Sequence, residues 1–186
     1  GRGFLKSAIT GKDPDAKSKA KNIDFDIDVK LGAVAGFNGE ALRSVDTRFS
    51  RRNGIVKTFA LSGKLGRDTP LSGDLRGRAG GRNVIFVETK DAGAFFRFSD
   101  TYPKIFGGEM WVALDPHSAD RAPQEGILNI RDFSVRGESA LDRVAAAPQQ
   151  PGGPPPGVEF SRMRVEFTRS LGRFTIRDGL VKGPVI

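Results

Sequence analysis

The sequence predicts a mainly β protein, an antiparallel meander with one or two short helices, and three observations predict it. Ile23, Phe25, Ile27, Val29 and Leu31 alternate with Asp24, Asp26, Asp28 and Lys30, the period of a strand with one buried and one solvated face. Asn53-Gly54 stands between two strand-like arms and suits a two-residue hairpin turn with positive φ at both central positions. The segments that follow are joined by short turns, without the long crossovers that parallel strands need.

Taken in order, residues 1–21 read as a short N-terminal strand and a charged connector, in which Lys12, Lys17, Lys19 and Lys21 face Asp13 and Asp15. Residues 22–147 read as one β-rich region. After the alternating strand come the hairpin arms 41–52 and 55–65, with Val45 and Phe49 on one face of the first and Ile55, Phe59, Leu61 and Leu65 sharing a parity on the second. A short strand is expected near 71–76, then a strongly β-prone run at 83–90 containing Val84-Ile85-Phe86-Val87. Asp91 is placed to cap a helix carrying Phe95, Phe98 and Tyr102 at i, i+3 and i+7, which Pro103 should stop.

Gly107-Gly108 reads as a turn into a strand at 109–115, and 116–123 as a loop. In the strand at 126–135, Leu128 and Ile130 are expected opposite Ile127, Phe133 and Val135. A helix with Leu141 and Val144 on one side is expected at 138–147, ended by Pro148. The Pro/Gly-rich stretch 148–157 reads as a flexible connector. Residues 158–186 then return to short strands at 160–168, 173–178 and 180–186, with Asp178-Gly179 as a second turn.

At 186 residues the chain can bury a core without a disulfide or metal staple. Thirty Lys and Arg against 22 Asp and Glu give a net charge of +8, which suits an anionic neighbour: nucleic acid, lipid headgroups or an acidic glycan. Zero cysteines exclude thiol catalysis and thiolate metal sites, and the single histidine, His117, excludes any centre built on two imidazoles. Asp115, His117 and Ser118 do not make a triad, because no Gly-x-Ser-x-Gly elbow accompanies them. Asp24, Asp26 and Asp28 lack the Gly-bearing loop of a calcium site and read as a solvated face. Gly107-Gly108 is no phosphate cradle, since neither a GxGxxG nor a P-loop pattern surrounds it. No enzyme activity, cofactor or metal is expected.

Asp91-Ala92-Gly93-Ala94-Phe95-Phe96-Arg97, then Gly107-Gly108 before an apolar strand, Gly126-Ile127-Leu128, Asp178-Gly179 and Gly183-Pro184, together resemble the C-terminal region of AsmA-like proteins, the YhdP-type branch in particular. The resemblance runs from about residue 83 to the end. It implies a long β-sheet curled into a curved, open groove, in an envelope protein on the periplasmic face of the bacterial inner membrane. It further implies an N-terminal membrane helix absent from this chain, a part in outer-membrane integrity, and phospholipid transport between membranes. The lack of an initiator Met and the apolar final residues fit a fragment, with the last strands cut short.

A sheet that is apolar on one side and charged on the other gives such a role a physical basis. Each buried methylene is worth about 0.8 kcal/mol, so an acyl chain of roughly sixteen carbons in bare water costs on the order of 10 kcal/mol. Phe25, Ile27, Val29, Phe59, Leu61 and Phe86 are the candidate groove residues, and Arg76, Arg78 and Arg82 the candidate headgroup contacts. The same apolar stripe also fits a closed core. Two other functions remain open: a periplasmic scaffold that touches envelope protein partners without conducting lipid, and an anionic polymer binder. The arginines Arg51, Arg52, Arg67, Arg76, Arg78 and Arg82 lack interleaved aromatics that would stack bases, which disfavours nucleic acid.

Overall fold

The computed structural model describes residues 24–79, 81–116, 122–142, 157–171 and 173–183. These form one nine-stranded antiparallel sheet in the order of the chain: β1 Phe25–Ala35, β2 Ala41–Arg52, β3 Ile55–Leu65, β4 Thr69–Arg78, β5 Arg82–Thr89, β6 Ile105–Leu114, β7 Gln124–Arg136, β8 Gly157–Ser170 and β9 Arg173–Lys182. Two short helices interrupt it, α1 Ala92–Phe98 and α2 Ser139–Asp142. The sheet does not close into a barrel. The expected mainly β meander is therefore present. The strand and connector expected over 1–21, His117, the part of the expected 138–147 helix beyond Asp142, all of the expected 148–157 connector except Gly157, which begins β8, and residues 184–186 of the expected last strand lie outside the described residues.

Local chemistry explains the elements that the sequence announced. Asn53 and Gly54 take φ values of 50° and 75°, the hairpin geometry expected of that dipeptide. Asp24 reinforces the turn by accepting the Asn53 backbone N–H at 2.6 Å. The Asp91 carboxylate accepts the Ala94 N–H at 2.9 Å and so satisfies one of the free amides that begin α1. Asp91→Ala is expected to cost about 1 kcal/mol, read as a lower urea midpoint with unchanged slope.

Four details differ from expectation. Helix α1 ends at Ser99, with Asp100 at φ 54°, well before Pro103, so Tyr102 lies beyond it rather than on its stripe. The buried aromatics of α1 are Phe96 and Phe98, and Phe95 is only partly covered. Gly107 and Gly108 do not turn the chain: they sit inside β6 at φ 66° and 89°, kinking a strand that continues through them. On β7, Ile130 and Phe133 differ in parity yet share one buried cluster, because Asp132 between them takes φ 51°.

The fourth detail concerns Asp178-Gly179. It is not a turn, since β9 runs through both residues, Asp178 opposite Glu166 and Gly179 opposite Val165. The ladder with β8 wins over the local turn preference, and the irregularity is absorbed as a register shift in which Arg177 is the extra residue.

The core sits at one end of one face. There α1 lies across the sheet, dividing its contacts between Leu42, Val45, Leu65 and Leu71 on one side and Ile105, Met110, Ile130, Phe133 and Val135 on the other. Arg97 on the helix holds Glu40, in the β1–β2 connection, at 2.8 Å, and the Phe37 N–H donates to the Phe98 carbonyl at 3.1 Å.

Candidate functional site: the apolar face

Strand register decides which side chains share a face, because residues paired directly across strands point the same way. One transverse row runs without a break through all nine strands: Val29, Thr47, Leu61, Gly73, Val87, Val112, Leu128, Val165 and Gly179. None of the nine is charged and none is buried. At 4.7–4.9 Å per strand the row spans about 38 Å.

The rows on either side of it differ in cover. Toward α1, the row Val45, Gly63, Leu71, Thr89, Met110 and Ile130 is buried by the helix and its neighbours. Away from α1, Ile27, Phe49, Phe59, Leu75, Ile85 and Leu114 are half-buried or exposed, until Phe167 closes over Gly126 on the far side. A Cβ on Gly126 would lie 2.3 Å from the Phe167 ring, so the glycine is what lets that ring lie flat on β7. Phe25 stacks on Phe49 with centroids 5.5 Å apart, and Phe167 on Phe174 at 4.8 Å. One face is thus a closed core at the helix end and an open apolar surface over the rest.

Five of the six candidate groove residues, Phe25, Ile27, Val29, Phe59 and Leu61, lie on this face. Phe86 does not. It pairs with Asp74 and Ala113, in the row that alternates with the apolar one, and therefore points from the opposite surface. Val84-Ile85-Phe86-Val87 has no alternation from which to read a face. It is Gly73 opposite Val87 that fixes it. The residues that complete the open surface, Val87, Val112, Leu128 and Val165, come from strands whose register becomes visible only through the ladder. Counting outward from the Asn53-Gly54 turn would put Phe49 opposite Thr58; Lys57, an extra residue on β3, moves its partner to Phe59, so this register too is visible only in the ladder.

The opposite face is charged, and its charges are largely paired across strands: Lys30 with Asp46 at 3.2 Å, Asp28 with Arg48 at 3.3 Å, and Asp26 with Arg52. The hydrogen bond from Arg52 holds the Asp26 carboxyl below its ordinary pKa, as that from Arg164 does for Glu166. Arg76, Arg78 and Arg82 belong to this face together with Phe86. Arg76 bonds Asp74 at 2.8 Å, approaches Glu88 at 3.6 Å, and lies 3.5 Å over the Phe86 ring. Any headgroup these arginines met would be on the other side of the sheet from an acyl chain resting on the apolar rows.

Among the described residues no cluster of metal-ligating side chains occurs, and no helix is long and apolar enough to cross a membrane. Comparisons with protein-family models, with curated proteins and with solved structures found no match for this chain.

Proposed function

We propose that the chain is a non-enzymatic segment of an AsmA-like envelope protein, anchored elsewhere in the inner membrane, whose open apolar face carries phospholipid acyl chains between membranes. The unbroken, uncharged and unburied row from Val29 to Gly179 carries this reading. A row lying across the strands gives a hydrocarbon tail a track along the length of the sheet, with no ionised group to pass. Contact along it replaces water at about 25 cal/mol per Å² of apolar surface, with no single residue needing special chemistry. Solubility is maintained by the ion-paired reverse side, where Arg76 is already engaged by Asp74, Glu88 and Phe86 and so gives no support to polymer binding.

A photo-crosslinking residue at Phe59 is expected to capture phospholipid in cells, whereas one at Phe86, on the reverse side, is expected to capture none. Equal capture at both positions, or none at Phe59, would leave the scaffold role in its place.

A further inference from the structure

On the charged face, between β4 and β7, the sheet forms a cavity of about 430 Å³ that the acyl-chain reading does not use. We propose that it is a saccharide site, with the Trp111 indole as its platform. Glu88, Trp111 and Asn129 are successive partners across β5, β6 and β7, and Glu109 and Arg131 are partners one step along the same face. All five line the cavity, as does Lys90.

Trp111 stacks on Phe86 at 5.8 Å between centroids, and Phe86 is not among the cavity's residues, so the indole is braced from one direction and presented in another. Pyranose C–H groups carry partial positive charge and pack on the negative face of such a ring.

Asn129 supplies the independent observation. It is 2% exposed, and its Oδ1 is buried with no hydrogen-bond partner among the described residues. A carboxamide kept in such a place is unfavourable unless something bonds it, and by rotating about its last torsion it can offer either an acceptor or a donor. Glu109 and Arg131 face each other across the ladder, and neither has an ion pair or side-chain hydrogen bond among the described residues, which leaves an acceptor and a fork of donors together at the rim. A hydroxylated ring, with groups that both donate and accept around its edge, matches that mixture. Polyanions are opposed by Glu88 and Glu109, and apolar ligands by all four charges. A zwitterionic phosphoamine meets the charges and can bond the carboxamide, but it has no flat array of ring C–H groups to lie on the indole.

Trp111 is the only tryptophan in the chain, so its fluorescence reports on this site alone. Titration of the full chain with maltotriose, cellotriose and chitotriose is expected to give a saturable spectral change with at least one of them. Asn129→Leu should raise the half-saturation concentration at least tenfold without lowering the urea midpoint, and Glu109→Gln, an exposed change safe for folding, at least threefold. Silence with all three sugars, or a response that both variants leave unchanged, overturns the site. A response to glycerophosphoethanolamine in place of the sugars also overturns it, and assigns the cavity to a phosphoamine. These water-soluble probes bear no acyl chain, so their failure leaves the apolar-face reading standing, and failure of crosslinking at Phe59 leaves this one standing.

Discussion

Replacing Gly93 by valine is expected to destabilise the protein by about 3 kcal/mol, the upper part of the range for forcing extra atoms into a packed site. A Cβ at this position would lie 2.6 Å from the Ile105 carbonyl oxygen, 2.9 Å from the Phe106 Cα and 3.0 Å from the Gly107 nitrogen. All three are backbone atoms of β6, which cannot rotate aside as a side chain would. The helix must lift, and lifting it uncovers Phe96, Met110 and Ile130 together. Urea denaturation followed by circular dichroism measures the loss. A midpoint within error of the parent chain would mean that α1 is not seated on the strand as described. Gly39→Ala gives a different kind of comparison: nothing lies within 4 Å of its Cβ, and only its positive φ is strained.

The second large effect concerns lipid. Leu61 and Ala60 are neighbours in β3 that point from opposite faces, Leu61 into the open row between Thr47 and Gly73, Ala60 between Arg48 and Asp74. Leu61→Glu places a carboxylate in the track, and a tail lying there would have to strip water from it at a cost on the order of several kcal/mol. Phospholipid recovered with the purified chain, quantified by mass spectrometry, is expected to fall at least tenfold for Leu61→Glu and to stay at the parent level for Ala60→Glu. Equal recovery from both variants would remove the apolar row from the account of lipid binding.

The parts of this fold that were legible in the sequence are those whose signal is local. Phe25, Ile27, Val29 and Leu31 alternating in β1, the Asn53-Gly54 dipeptide and the Asp91 cap each act within a few residues, and each forms the element that was read, although the apolar side of β1 is largely exposed and not the buried face expected of it. Gly107-Gly108 and Asp178-Gly179 are also local signals, but they lie where a partner strand offers continuous hydrogen bonding, and pairing outweighs the turn preference. Face assignment fails for a related reason. Period two settles a side only where polar and apolar residues alternate, so Phe86, within four consecutive apolar residues, needed its partners Asp74 and Ala113 to decide. The same holds where Ser44 and Asp132 adopt positive φ and exchange the two sides within a strand, bringing Leu42 together with Val45 and Ile130 with Phe133. The cavity beside Trp111 was hidden for the opposite reason: its residues are spread over β4 to β7, and no spacing in the chain links Glu88 to Asn129.

Every strand of the sheet is bonded only to the strands before and after it in the chain. Most pairings therefore close a small loop at little entropic cost; the longer connections are the one through α1, between β5 and β6, and residues 137–156, between β7 and β8. A unit of two strands inserted or lost away from α1 would preserve the up-down alternation and every existing register, while changing the span by about 10 Å. Length in this architecture is consequently a quantity that evolution can adjust by duplication or deletion of hairpins, without redesigning either surface.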